Sequence, residues 1–168
     1  PKDAFTYFEI MQRDGYSPNV NTFVHILKTC GDIGEVDKGK QIHNEIVNGG
    51  LLEKHIVIGN AVIDMYAKCG RLAEAKHVLY ELPIRDEGSW SVLMAGYIQQ
   101  DQFVDVLDCL EQMRIDKKNP NASIFVYILK ACGNIRAIDM GRQILNEIVS
   151  QGWLEKSMFL GNALVDMY

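Results

Sequence analysis

Positive charge is what this sequence has too little of: 17 lysines and arginines stand against 22 aspartates and glutamates, for a formal charge of −5. A chain without a basic excess lacks the usual footprint of a protein that grips duplex nucleic acid by its phosphates. Reading of a single strand by hydrogen bonds and stacking is not excluded. Long apolar stretches are missing too. The longest is a few residues, against the roughly 20 that a membrane-spanning helix needs. No signal or transit pattern is visible, which carries little weight because Pro1 is not a natural start. The four cysteines (Cys30, Cys69, Cys109 and Cys132) form no CxxC pair, and no nearby histidines complete a zinc pattern. They read as reduced, small, buried thiols. His25, His43, His55 and His77 are scattered, with no acidic partner at a catalytic spacing. No carboxylate dyad, glycine-rich phosphate loop or nucleophile motif appears. The sequence therefore predicts no catalytic residue, metal, cofactor, small-molecule substrate or membrane contact.

What is present is repetition. Residues 20–66 align without gaps onto 122–168, an offset of 102, and 26 of those 47 positions are identical. FVHILKTCGDIGEVDKGKQIHNEIV is matched by FVYILKACGNIRAIDMGRQILNEIV, and IGNAVIDMY by LGNALVDMY. A unit this long exceeds one helical hairpin. Apolar spacing with glycine and proline punctuation divides it into three. The first, 20–55, holds helices near 21–31 and 35–48, closed by Gly49 and Gly50. The second, 56–86, holds helices near 57–68 and 71–82, separated by Gly70 and stopped by Pro83. The third, 87–121, holds helices near 88–99 and 101–116, ending before Pro120; the cycle restarts with 122–157. Residues 4–15 read as a lone second helix within a partial repeat, 1–19, and 158–168 as part of a first helix. Neither end carries a polar cap, so a piece of a longer array is expected. Each hairpin has too little core alone. Stacking gives an all-α superhelical solenoid with a concave face, and small residues such as Gly39, Ala75 and Gly141 mark close approaches.

This rhythm of 36, 31 and 35 residues resembles the pentatricopeptide repeat family, and within it the PLS subclass of land-plant organelles. IVIGNAVIDMYAKCGRLAEAKHVLYELPIRD (56–86) resembles an S-type repeat along its whole length. ILKTCGDIGEVDKGKQIHNEIV, within 20–55, looks L-type, as does 122–157, and WSVLMAGYIQQDQFVDVLDCLEQM, within 87–121, looks P-type. By the same resemblance 1–19 is a partial P-type repeat and 158–168 a partial S-type repeat. The tetratricopeptide repeat, the nearest rival, has a regular 34-residue period, and its WxxLG signature is absent here. The resemblance implies a right-handed superhelix that reads single-stranded RNA, one base per repeat. It makes the fifth and last residues of each repeat the base readers. In 56–86 these are Asn60 and Asp86, implying U; in 87–121 they are Ser91 and Asn121, implying A. Val24 with His55, and Val126 with Ser157, are weaker readers or packing residues. Asn162 leans toward a pyrimidine, and Asn19 closes the partial first repeat. The second residue usually packs on the base, which suits Val57 and Phe159, whereas Gly88 supplies no side chain. Lys68 falls at a phosphate-contact position.

Plainer readings stand beside these. Asn60 and Asn162 are polar residues near a helix start, and Asp86 an ordinary turn or cap. Within the family such arrays commonly precede E and DYW segments, the latter resembling a zinc deaminase that edits C to U. This chain would then supply address and no catalysis, in a mitochondrion or chloroplast. The alternative function is a protein-binding scaffold, with the apolar L-type repeats facing an editing-cofactor protein.

Overall fold

The computed structural model describes residues 2–168; eleven α-helices follow one another, and no β-strand occurs among the described residues. Two compact units form, residues 1–93 and 94–168. The first contains α1 (Lys2–Arg13), α2 (Val20–Ile33), α3 (Val36–Asn48), α4 (Ile56–Lys68), α5 (Leu72–Glu81) and the start of α6 (Glu87–Gln99). The second contains the end of α6, α7 (Phe103–Ile115), α8 (Ala122–Asn134), α9 (Ile138–Ser150), the single turn α10 (Trp153–Lys156) and α11 (Met158–Met167).

Local chemistry sets these boundaries. At the start of α2, Asn19 Oδ1 accepts hydrogen bonds from the Thr22 amide (2.9 Å) and hydroxyl (3.1 Å). At its end Gly34 turns left-handed at φ 75°, and its N–H reaches back to the carbonyls of Cys30 and Gly31. Asn121 starts α8 in the same way, accepting from the Ile124 amide at 3.0 Å. Gly70, at φ 74°, separates α4 from α5. Pro83 lies just past α5, where a residue without an N–H cannot extend the helix. The sequence suggested no helix over 153–156. A single turn forms there, where the equivalent residues of the first copy make a non-helical turn.

Packing explains why the hairpins need one another. On α2, Phe23, Ile26, Leu27 and Cys30 recur at helical spacing, and all four are buried. In the first unit α2 lies along α4, and α4 also touches α3 and α5. Enclosed on three sides, α4 buries Ile58, Val62, Ile63, Met65, Tyr66 and Ala67. Each large side chain removed from water contributes roughly 1.5–3 kcal/mol. The second unit repeats the plan: α8 packs against α7, α9 and α11, and buries Ile124, Phe125, Ile128, Leu129 and Cys132. Two glycines fix the approach distance. A Cβ on Gly39 would strike the Met65 side chain, and one on Gly141 would strike Met167, the same pair shifted by 102 residues.

Candidate nucleic-acid interface

Within each unit the first helices of consecutive hairpins lie side by side, α2 with α4 and α8 with α11. The residues at their starts therefore share a wall. Asn60 stands in the second turn of α4 and is half-buried; its Oδ1 is buried without a hydrogen-bond partner among the described residues. An amide oxygen left in that state costs about 1–3 kcal/mol, and being shut off from solvent it is not a point a ligand reaches. Asp86 precedes α6 and caps it, its Oδ1 accepting from the Ser89 amide at 2.8 Å and the Ser89 hydroxyl at 3.0 Å. Its second oxygen, Oδ2, has no partner among the described residues.

Gly88 joins the two. A Cβ built on it would lie 3.1 Å from Asp86 Oδ1 and 3.5 Å from Asn60 Nδ2. The two side chains thus border one small space, and a Cβ there would crowd Asp86 Oδ1 by a few tenths of an ångström. The sequence offered Gly88 merely as a missing packing group; the structure makes it the floor shared by Asn60 and Asp86.

The second unit gathers another set. Val126, Ser157 and Phe159 line one groove of about 200 Å³, together with Ala122, Ser123 and Tyr127. Phe159 is 76% exposed and offers a bare ring face at the mouth. Ser157 precedes α11 without making a side-chain cap bond, so its hydroxyl is not committed to the helix. Ser123 and Tyr127 escaped the sequence reading. Ser123 occupies the second position of its repeat, the one usually set against a base, and that was the available signal.

The remaining candidates are placed singly. Val57 is 56% exposed on α4. Val24 is half-buried on α2, and His55, also half-buried, precedes α4 without a side-chain cap bond. Ser91 is half-buried on α6 in the first unit, Asn121 is the α8 cap in the second, and Asn162 is exposed on α11. Asn19 and Asn121 spend their amide oxygens on caps, which leaves each Nδ2 as a donor. Lys68 is already engaged, at 2.9 Å from Asp64 and 3.0 Å from Asp32. Burial lowers its pKa, but hydrogen bonds to those two carboxylates outweigh that and raise it. A phosphate would have to displace one of them. Among the described residues, no group of three or more His, Cys, Asp or Glu is placed to hold a metal ion, and no helix is long and apolar enough to cross a membrane.

Stacked helical hairpins with polar residues at the starts of adjacent first helices define an α-helical repeat protein. Comparison with known proteins narrows that class. The profile described as "Pentatricopeptide repeat domain" matches residues 1–33, and that described as "PPR repeat" matches 60–85 and 88–117. The chain belongs to the pentatricopeptide repeat family. Curated relatives in Arabidopsis thaliana include pentatricopeptide repeat-containing protein At4g18520, chloroplastic, 34% identical over 167 residues, which cover 99% of this chain and 27% of that protein. Another is At1g77170, mitochondrial, 31% identical over 166 residues, which cover 98% of this chain and 36% of that one. The chain therefore spans about a third or less of the relatives it matches. Among solved structures, PPR10 from maize shares the fold with a TM-score of 0.76 at 23% identity, covering 97% of this chain and 24% of that one. PPR10 has also been solved in complex with an 18-nt psaJ RNA element.

Proposed function

We propose that this chain reads single-stranded RNA, one base per hairpin, and serves as the targeting array of a larger organellar protein. The observation that carries this is the meeting of Asn60 and Asp86 over Gly88. Capping explains Asp86 Oδ1; it leaves Oδ2 without a partner among the described residues, on a side chain that borders the Gly88 position together with Asn60 Nδ2. A uracil edge suits these two groups, because its N3–H can donate to Asp86 Oδ2 and a carbonyl oxygen can accept from Asn60 Nδ2. Asn121 presents the opposite chemistry, a donor, which suits the N1 acceptor of adenine, the base that the family resemblance implies for Ser91 with Asn121. The target then runs U followed by A, 5′ to 3′ along the chain's N-to-C direction. Asn162 favours a pyrimidine. Val24 with His55 reads its base weakly, while Val126, Ser157 and Phe159 accept a base mainly by stacking. We assign the repeats to the PLS arrangement and the whole protein to C-to-U editing, with any deaminase chemistry outside these residues. The protein's location is organellar, in keeping with relatives named chloroplastic and mitochondrial.

The test separates capping from reading. Asp86→Asn keeps an oxygen for the cap, since Asn and Asp cap about equally, but turns the free acceptor into a donor. Titration with short RNAs differing only at the first base of the U-A step is the measurement. Unsubstituted chain prefers U; Asp86→Asn loses about ten-fold for U and gains C, whose N3 is an acceptor, with Tm little changed, consistent with about 1–3 kcal/mol per base contact. Asp86→Ala combined with Asn60→Ala abolishes the preference. Equal affinity for every base by the unsubstituted chain overturns the reading, and tight capture of a protein partner would then favour the scaffold.

A further inference from the structure

We propose that Lys54 and Lys156 hold the phosphates of the bound single strand, a role the sequence pattern had pointed toward Lys68. This rests on the RNA reading above and adds the backbone contact it lacks. Lys54 lines a groove of about 340 Å³ that also contains Asp86, with Leu52, Ile56 and Ile84 as apolar walls. Its ammonium has no ion pair or hydrogen bond among the described residues; only its backbone N–H is engaged, donating to the Leu51 carbonyl. Lys54 immediately precedes His55, the last residue of its repeat, and Lys156 immediately precedes Ser157, which lines the second-unit groove. The Leu-Glu-Lys run is retained at 52–54 and 154–156, whereas the four residues after it all differ between the copies. Lys156 rests 5.7 Å above the Trp153 ring. A cation–π contact steadies the charge and leaves its N–H donors available. Lys68, by contrast, is neutralised twice over. In a chain of charge −5, free cations one residue from the base readers supply the local attraction that the overall charge withholds. A lysine ammonium, a mobile point charge with three donors, suits a phosphate on a strand that must pivot between bases. Glu53 shares the Lys54 groove and opposes the contact, which gives a second handle.

The experiment compares the double variant Lys54→Gln/Lys156→Gln with Lys28→Gln/Lys130→Gln. The latter pair is also retained at the 102-residue offset, is exposed on α2 and α8, and removes the same charge. Fluorescent RNA carrying the U-A step is titrated from about 50 to about 200 mM salt, where each phosphate contact to a single strand contributes roughly 0.7 to the log–log slope. The first variant binds all sequences several-fold more weakly and flattens the slope by about 1.4, with the preference for U intact. The second changes the slope by less than half as much. Glu53→Gln tightens binding. If the two lysine pairs lose affinity equally, the effect is a general field and the assignment to Lys54 and Lys156 falls. The assignment also falls if the unsubstituted chain shows U preference and the Lys54/Lys156 variant matches it in affinity and slope. No RNA binding by the unsubstituted chain would overturn the RNA reading itself.

Discussion

At the scale of single residues, the two copies of the duplicated sequence act as controls for one another. His43 on α3 is matched by Leu145 on α9. Its Nδ1 lies 3.1 Å from the Tyr66 hydroxyl, the rings meet edge-on at 5.6 Å, and Nε2 is buried without a partner among the described residues. Burial pushes its pKa below the usual 6.5; Glu81 opposes that and His77 adds to it. The neutral imidazole is therefore the folded form. Its contribution to stability is whole above about pH 6.5 and declines as the pH falls below that value, because the unfolded chain takes up the proton first. Replacing His43 by Leu removes this liability. Thermal unfolding of the two proteins across pH should show a constant difference in Tm above about pH 6.5 and a difference that widens by roughly 2–4 °C in favour of the variant by about pH 5. A gap that stays constant through that window would mean the ring is hydrated in the folded state. The Leu145 counterpart marks His43 as a packing residue. Its partner Tyr66 lies 23 residues away and was not visible in any local pattern.

At the scale of elements, the turns show what punctuation reveals and what it hides. Glycines and prolines marked most helix ends, since only Gly tolerates the left-handed turn cheaply and Pro cannot continue a helix. Yet Asp101, Lys117 and Arg136 also adopt positive φ, and no composition rule flags them. Arg136, at φ 56°, takes the place that Gly34, at φ 75°, holds in the first copy. The left-handed conformation costs a residue with a Cβ roughly 1–2 kcal/mol, and glycine's extra unfolded-state freedom returns up to about 1 kcal/mol of that. Arg136→Gly should therefore stabilise by about 0.5–1 kcal/mol and raise Tm by roughly 2 °C. Gly34→Arg should lower it by a similar amount. A fall in Tm for Arg136→Gly would show that the arginine side chain contributes more than its backbone costs. The helices themselves were legible because apolar spacing and the 102-residue offset agree. The Lys68 contacts were only half legible. Asp64 lies one turn away on the same helix, but Asp32 comes from α2, 36 residues back, and it is the pair that takes the ammonium out of play.

At the scale of the whole molecule, charge and site chemistry together forecast which nucleic acid is refused. Duplication and resemblance put the proposed reading positions in register, and Asp86 was already open to reading as a cap; that Asn19 and Asn121 likewise commit an oxygen to a helix cap is visible only in the structure. That commitment leaves each side chain a single free function, an acceptor on Asp86 and a donor on each asparagine, and on the RNA reading proposed above both address the pairing edge of a base. In a duplex that edge is occupied by the complementary strand. A protein that gripped phosphates alone would bind single and double strands alike; two lysines in a chain of charge −5 make too few such contacts to carry binding without the bases. An RNA containing the U-A step should therefore bind as a single strand and lose at least about ten-fold when annealed to its complement, a difference of about 1.4 kcal/mol or more. Competition of both forms against one labelled single strand measures the ratio. A ratio near one would place the affinity on the phosphate backbone and leave the open oxygen of Asp86 without a role in recognition.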